Sequence, residues 1–388
     1  MFLSIKVQLL PNNYQKTRLI QIASVSRFAY NWALSTQIEN HKNGGTFLND
    51  LELRRRFTQL KKQEEYKWLN NYSNNVTKQA IKDCCEAYKR FFNKISGYPK
   101  FKTKKHSVPS FHVPTDRIKF TENYVKLEKI STSLKKNKKM KNWIKLSEKN
   151  RIPINSKYYN ARVCYDGIRW FLTVSIEVEE KENKNSCTGI GIDVGIKELA
   201  ICSDGKVYGN INKTKRIKNL EKRKRRLQSK ISKKYLKNKK GEVYCKTCNI
   251  IKSERQLLKL NRKLTNIRYD YIHKVTSDII NRKPIFIAIE DLNIIWMIKN
   301  KSLSRHIKEQ CLHKFKECLK YKSRLNGIEL RIIDRFYPSS KKCYVCGNIK
   351  KDLKLSDREY MCTVCGNKID RDLQASINIR DATKYRVA

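Results

Sequence analysis

The sequence predicts a multidomain α/β protein, and three observations carry that expectation. The chain has 388 residues, 39% of them apolar, which is enough for two or three domains and at least one sizeable core. Its texture changes twice: helical periodicity to about residue 97, short alternating runs from about 98 to 185, then strands alternating with helices. The acidic, polar stretch from Glu179 to Ser186 reads as the linker before the last of these.

Each element has a local reason. Phe2 to Leu10 alternates as a strand and stops at Pro11. Asn12 or Asn13 then caps a helix in which Leu19, Ile22, Ala23, Ala29, Trp32 and Ala33 recur near helical spacing, until Gly44-Gly45 break it. Helices follow over 49–64 and 73–95, closed near Gly97 and Pro99. Ile118–Phe120, Tyr124–Leu127 and Trp170–Ile176 read as strands of an antiparallel sheet or barrel, with Lys135 to Lys139 an exposed basic loop. Beyond the linker come a strand at Thr188–Val194, a hairpin at 199–207 around Asp204-Gly205, and a very basic helix over 213–240. A helix over 254–282, a buried strand over 285–290, a helix over 302–325, a strand over 328–333 and a helix over 372–383 complete the chain.

The 86 Lys and Arg against 36 Asp and Glu give a formal net charge of +50. Self-repulsion of that size opposes folding, and a polyanionic partner is the common reason to tolerate it. Membrane surfaces also attract cations, but no apolar span, signal peptide or lipidation box is visible. Nucleic acid is therefore the expected partner, and a membrane is not. The aromatic content of 10% argues against a disordered chain. The 13 cysteines, an odd number with tight CxxC pairs, suit metal binding in a reducing compartment better than a disulfide framework. An intracellular protein is expected, cytoplasmic and nucleoid-associated in a bacterial host.

The segment Lys213–Lys240 holds fifteen Lys and Arg against one acid, Glu221. A merely solvated helix would alternate signs to gain i,i+4 pairs. Here like charges repel unless phosphate lies alongside, so Lys222, Arg223, Arg225, Arg226, Lys230, Lys233 and Lys234 are the expected nucleic-acid backbone contacts. Of the aromatics Tyr30, Trp32, Phe101 and Phe111 none is assigned to a site, and Trp32 is expected to pack in a core.

Cys343-x-x-Cys346-Gly347 and Cys362-x-x-Cys365-Gly366 are two knuckles separated by fifteen residues. That spacing sets four thiolates at tetrahedral range, and the glycines allow the tight turn that aims backbone N–H groups at sulfur. One structural Zn²⁺ is expected, ordering a segment too small to hold itself. Cys245 and Cys248 supply half of such a site with no second pair nearby, and read as two ordinary thiols on an insertion. Cys84, Cys85, Cys311 and Cys318 fall on helical patterns as core residues.

Three carboxylates suggest the chemistry. In Gly189-Ile190-Gly191-Ile192-Asp193-Val194-Gly195, strand alternation puts Gly189, Gly191 and Asp193 on one face, where the glycines would let a bulky ligand approach. Glu290 ends the run Pro284–Ile289, apolar on both faces as in a central strand. Asp372 opens the last helix and, taken alone, reads as its N-cap. Taken together in so basic a chain, they are what a two-metal nuclease needs: oxygen ligands for two Mg²⁺ or Mn²⁺ ions.

The stretches GIDVGIKELA, IAIEDLN and DRDLQASINI, with the zinc-ribbon pattern between them and YPSSKKC before it, resemble the three RuvC motifs of TnpB, the transposon-encoded RNA-guided nuclease family. The likeness is strongest over 188–385 and weaker in the N-terminal half, where the first strand, the Asn-Trp helix and GYPKFK look similar. The resemblance implies an RNase H-like (RuvC) nuclease domain with an inserted zinc ribbon, an N-terminal helical recognition module and a β-barrel-like wedge module. The corresponding bounds are 1–10 for the first wedge strand, 11–97 for the helical module and 98–185 for the β-rich wedge and linker. The nuclease domain would run over 186–342, with basic helices at 213–282, then the ribbon at 343–366 and the nuclease remainder at 367–388. It implies Asp193, Glu290 and Asp372 as metal ligands, with Asp372 chosen over Asp370 as the aspartate directly before the family's x-Asn-Ala stretch. Gln374 and Ser376 depart from the usual Asn and Ala. The implied partners are a guide RNA from the transposon end and double-stranded target DNA read beside a short flanking motif. A guided DNA-binding repressor without cleavage and a RuvC-type nuclease without a guide are the competing readings.

Overall fold

The structure is a computed structural model that describes residues 1–130, 142–182, 188–241, 243–299, 304–353 and 357–388. The expected basic loop at Lys135 to Lys139 and the linker residues 183–186 lie outside the described residues. The chain divides into two compact units, Met1–Val178 and Glu179–Ala388.

In the first unit, β1 (Phe2–Leu10) leads into α1 (Asn13–Lys42), whose Asn12 N-cap forms a capping box with Gln15. Next come α2 (Asp50–Leu60), a 3₁₀ turn over Glu64–Asn71, and α3 (Asn74–Phe92). The helix expected over 49–64 thus ends early, and the chain tightens into 3₁₀ geometry. Six strands follow: β2 (Ser110–His112), β3 (Lys119–Phe120), β4 (Tyr124–Lys126), β5 (Trp143–Leu146), β6 (Tyr158–Tyr165) and β7 (Trp170–Glu177). They form one sheet in the order β2-β6-β7-β1-β5-β4-β3. Phe111 of β2 and Phe120 of β3, from the two edge strands, share one apolar cluster with Val7, Leu172 and Val174 of its centre.

One long helix serves two cores. Leu19, Ile22 and Ala23 of α1 enter the sheet cluster. Farther along, Val25, Ala29, Ala33 and Leu34 pack with Leu53, Phe57, Ile81, Cys84 and Cys85 of α2 and α3. Trp32 lies edge-on to Phe57 with ring centroids 4.9 Å apart, a packing role as its helical position implied.

The second unit begins with β8 (Ile190–Val194), β9 (Glu198–Cys202) and β10 (Val207–Gly209), then α4 (Lys215–Lys237). A short hairpin, β11 (Lys239–Lys240) and β12 (Val243–Tyr244), leads into α5 (Cys248–Asn281), which starts earlier than its apolar pattern suggested. Then follow β13 (Phe286–Glu290), α6 (Ile294–Lys299), α7 (Ser304–Gln310), α8 (Leu312–Leu325) and β14 (Glu329–Ile333). The single helix expected over 302–325 is broken at Cys311, which takes a left-handed conformation (φ 56°). The ribbon strands β15 (Glu359–Met361) and β16 (Lys368–Asp370) precede α9 (Arg371–Arg380) and a final strand, β17 (Tyr385–Val387).

The main sheet has the order β10-β9-β8-β13-β14-β17. Its centre is parallel, with Ile192 opposite Ile289 on β13 and Glu290 opposite Ile333 on β14. Side chains alternate across it. Ile190, Ile192, Ile287 and Ile289 join Ile272, Val275 and Ile279 of α5 and Phe315 and Leu319 of α8 in one core. On the opposite face, Ala288 and Ile333 pack against Ile379 of α9. Asp193 and Glu290 therefore belong to the α9 face.

Candidate active site and metal centre

Asp193 lies near the C-terminal end of β8, and Glu290 ends the neighbouring parallel strand β13. Their shared pleat sets both carboxyls toward α9, which packs across β8. The closeness of that packing explains Gly191. A Cβ there would fall against the Ser376 carbonyl oxygen and the Arg380 backbone nitrogen. At Gly189 it would meet the Phe286 ring. These glycines thus make room for the chain's own helix and ring, and not for a ligand as their strand position had suggested.

Asp372 is the second residue of α9. The N-cap is Asp370, whose carboxylate accepts from the backbone N–H groups of Asp372 and Leu373, both at 3.0 Å. The expectation that Asp372 caps the helix is corrected accordingly, and its side chain is released for other contacts. Arg371 donates to it at 3.0 Å, and Arg358 lies 3.9 Å away.

Asp193 feels both of the other acids. Burial of its carboxyl is the main cause that lifts Asp193 to about 7, reinforced by the negative charges of Glu290 and Asp372 and opposed by Arg371. Burial also raises Glu290, against the hydrogen bond that Ser339 Oγ donates to it. Such a set, all oxygen, suits hard divalent cations, and Arg371 and Arg358 are the cations beside it. The departures from the family pattern line the same helix. Ser376 is fully buried and its hydroxyl bonds the Leu373 carbonyl at 2.7 Å. Gln374 is fully buried with neither amide atom partnered among the described residues.

The four ribbon cysteines are packed more tightly. Cys343, Cys346, Cys362 and Cys365 bring their sulfurs within 4.8 Å of one another, the one such cluster of three or more metal-type ligands among the described residues. The two knuckles repeat each other. Gly347 (φ +76°) and Gly366 (φ +70°) turn the chain, while the N–H groups of Cys343 and Cys362 bond the carbonyls of Asn348 and Asn367, each at 2.8 Å. Backbone N–H groups of Cys365 and Val364 bring the Cys362 thiol down to about 6. The donor set fits one tetrahedral Zn²⁺ with no open position. Cys245 and Cys248 lie apart, at the hairpin and the first residue of α5.

Two residues that the sequence reading passed over link the ribbon to the acids. Ser339 contacts Glu290, and the buried Asn378 of α9 donates to the carbonyls of Ser339 (2.7 Å) and Lys342 (2.6 Å), directly before Cys343. The YPSSKKC stretch was visible, but nothing local marks which serine turns inward.

On α4, Lys222, Arg223, Arg225, Arg226, Lys230 and Lys233 are exposed and have no acidic partner among the described residues. Arg223, Arg226 and Lys230 face Lys259 and Lys263 of α5 across a cleft of about 410 Å³ floored by Leu227 and Leu260. Lys234 differs: it is half-buried and donates to the Asn249 carbonyl (3.1 Å) and Ser253 Oγ (2.8 Å), tying α4 to α5. Glu221 is buried and paired with Arg268 at 3.1 Å. Lys259 and Lys263, one turn apart, are the cations that the reading of a single helix missed.

Three family profiles match in order along the chain: a "Helix-turn-helix domain" of the OrfB IS605 family at 1–46, the OrfB IS605 "Probable transposase" at 172–301, and a "Cas12f1-like, TNB domain" at 313–379. Residues 1–46 fold here as a strand and one long helix. A protein of Escherichia coli K12 named "Putative RNA-guided DNA endonuclease InsQ" is 27% identical, over 96% of this chain and 90% of its own. A "Putative RNA-guided DNA endonuclease" of Streptomyces pristinaespiralis is 28% identical, over 96% and 87%. Among solved structures, Cas12f1 in a complex with single-guide RNA and target DNA superposes with a TM-score of 0.61 at 15% identity, covering 96% of this chain and 83% of that one. No described helix is long and apolar enough to cross a membrane. Segment by segment, and over nearly its whole length, the chain is thus similar to the OrfB IS605 family of probable transposases and to relatives named RNA-guided DNA endonucleases.

Proposed function

We propose that this chain is an RNA-guided DNA endonuclease of a transposable element, cutting target DNA beside a short flanking motif. The observation that supports it best is that Asp193 and Glu290 lie at the ends of neighbouring parallel strands on the face that α9 covers, and that the charges of Glu290 and Asp372 act on Asp193. The sheet around them, antiparallel at β10-β9-β8 and parallel at β8-β13-β14, agrees with an RNase H-like nuclease domain. The relatives named as RNA-guided endonucleases span nearly all of the chain.

In this reading Asp193, Glu290 and Asp372 would hold two Mg²⁺ or Mn²⁺ ions. When bound, such ions activate water and stabilise the leaving oxygen of a phosphodiester. The chain's own residues set the geometry. The β8–β13 register fixes Asp193 against Glu290, Ser339 orients Glu290, and Arg371 holds Asp372 at 3.0 Å. The cationic cleft between α4 and α5 grips phosphates without reading sequence, and base pairing with the guide supplies the selection. A zinc ion in the ribbon would be held by Cys343, Cys346, Cys362 and Cys365 and would be structural.

The test is a cleavage assay on duplex DNA matched to the RNA that co-purifies with the protein, with and without Mg²⁺. Asp193→Ala is expected to lower cleavage by at least about 10³-fold, as loss of a group essential to the chemistry does, while RNA retention is unchanged. Cleavage by this variant at the parent rate would remove the mechanism. Absence of RNA from the purified protein would favour a nuclease without a guide.

A further inference from the structure

The turn from Asp334 to Ser339 is tethered to Glu290 at both ends. Ile333, just before it, is the β14 partner of Glu290, and Ser339, at its close, donates its hydroxyl to the Glu290 carboxylate. Between them the backbone is pinned. The Asp334 carboxylate accepts from the Phe336 N–H at 2.8 Å, the Asp334 carbonyl from Tyr337 N–H at 3.1 Å, and the Tyr337 carbonyl from Ser339 N–H at 2.8 Å. Tyr337 packs against the Ala288–Ile379 cluster, and Asn378 holds the Ser339 carbonyl.

One side chain of this fixed turn has nothing to pack on. Phe336 is 86% exposed, the most of any large apolar side chain among the described residues, and has no ring partner there. Lone exposed apolar groups are common and need no explanation. This one is held on a rigid turn, three residues from each of two groups tied to Glu290, hence within about 10 Å of both. It is preceded by Arg335, an exposed cation 3.5 Å from Asp291. A presented aromatic ring loses little conformational entropy on binding, and every nucleobase offers a face to stack on it.

We propose that Phe336 is a substrate-positioning residue: its ring stacks on an unpaired base of the strand being cut and so sets the neighbouring phosphate over the carboxylates. The proposal rests on the nuclease reading and sharpens its substrate. The site takes DNA whose bases are unstacked and accepts them without regard to sequence, because stacking is sequence-tolerant where hydrogen bonding is not. Paired bases in a duplex keep their faces covered and cannot engage the ring.

The experiment compares the parent, Phe336→Ala and Phe336→Trp as RNA-bound complexes. Their matched target DNA carries 2-aminopurine at successive positions of the cut strand. In the parent, fluorescence is expected to be quenched at one or two positions by stacking. Phe336→Ala should abolish that quench and raise KM about ten-fold, with thermal stability near the parent's, since an exposed ring contributes little to the fold. Phe336→Trp should restore both quench and KM. Cleavage by the parent together with an unchanged quench and KM in Phe336→Ala would overturn the stacking role alone. A parent complex that cuts nothing would overturn the nuclease reading, and this proposal with it.

Discussion

The ribbon draws its four cysteines from one short stretch of chain, Cys343 to Cys365, whereas the carboxylates come from Asp193, Glu290 and Asp372. In the ribbon each knuckle is closed by its own backbone turn, and the residues that aim N–H groups at sulfur are sequence neighbours of the ligands. The carboxylates have no such local scaffold. Asp193 and Glu290 share a face because β8 and β13 pair in register, and Asp372 arrives on α9, which can lie against a strand that lacks a side chain at Gly191. A site built locally depends on its metal and hardly on the rest of the domain. A site assembled across a sheet depends on packing far from any ligand.

The largest effect expected from this contrast is in the ribbon. Cys343→Ser should take bound zinc from one equivalent to none, removing about 10 kcal/mol or more of apparent metal-binding free energy. Metal analysis and limited proteolysis within 343–366 would read it. Cys245→Ser should leave the zinc content unchanged, and a loss there would join the two CxxC pairs after all.

Next in size is Gly191→Ala. Its new methyl group meets backbone atoms of α9, which cannot rotate away, and overpacking of this kind costs about 3 kcal/mol. The fall in thermal stability should come with a higher Mg²⁺ requirement for cleavage, since α9 carries Asp372. A variant as stable as the parent, cutting at the parent's Mg²⁺ concentration, would show that the carboxylates do not depend on this packing.

The smallest effect is one of pH. Asp193 is raised to about 7 by burial and by the neighbouring carboxylates, against about 4 in the unfolded chain. An acid raised on folding gives its full stability below the unfolded value and loses it as pH rises through the folded one. Without divalent metal, the protein should therefore lose stability between pH 4 and 7. At pH 8 in a chelator, Asp193→Asn should be more stable than the parent by on the order of 2 kcal/mol. The difference should vanish near pH 4. Denaturant unfolding at both pH values checks it, and equal stabilities at pH 8 would mean that neither burial nor the neighbouring carboxylates burden the Asp193 charge.

Strands such as β1, β7, β8 and β13, most helices and the four-cysteine cluster were legible because their signals are local: alternation, caps, and knuckles with glycine at a left-handed turn. The helix break at Cys311 was not, since no proline or glycine marks it and a left-handed cysteine is a conformation imposed from outside. Lys234 was indistinguishable from its neighbours by composition, yet it alone of the seven expected phosphate contacts turns inward to Asn249 and Ser253. Whether Asp370 or Asp372 caps α9 depended on which carboxylate the ribbon strand β16 delivered to the helix start.

By itself the sequence determined the charge that demands a polyanion, the identities of the acids, and a zinc ribbon complete within its own segment. The tertiary structure alone decided that Gly191 makes room for α9, that Ser339 reaches Glu290, and that Phe336 is left uncovered beside it. The physical reason is range. Hydrogen-bonded turns and side-chain periodicity act over a few residues and are written in them, while the approach of a helix to a sheet is set by the summed packing of residues distant along the chain.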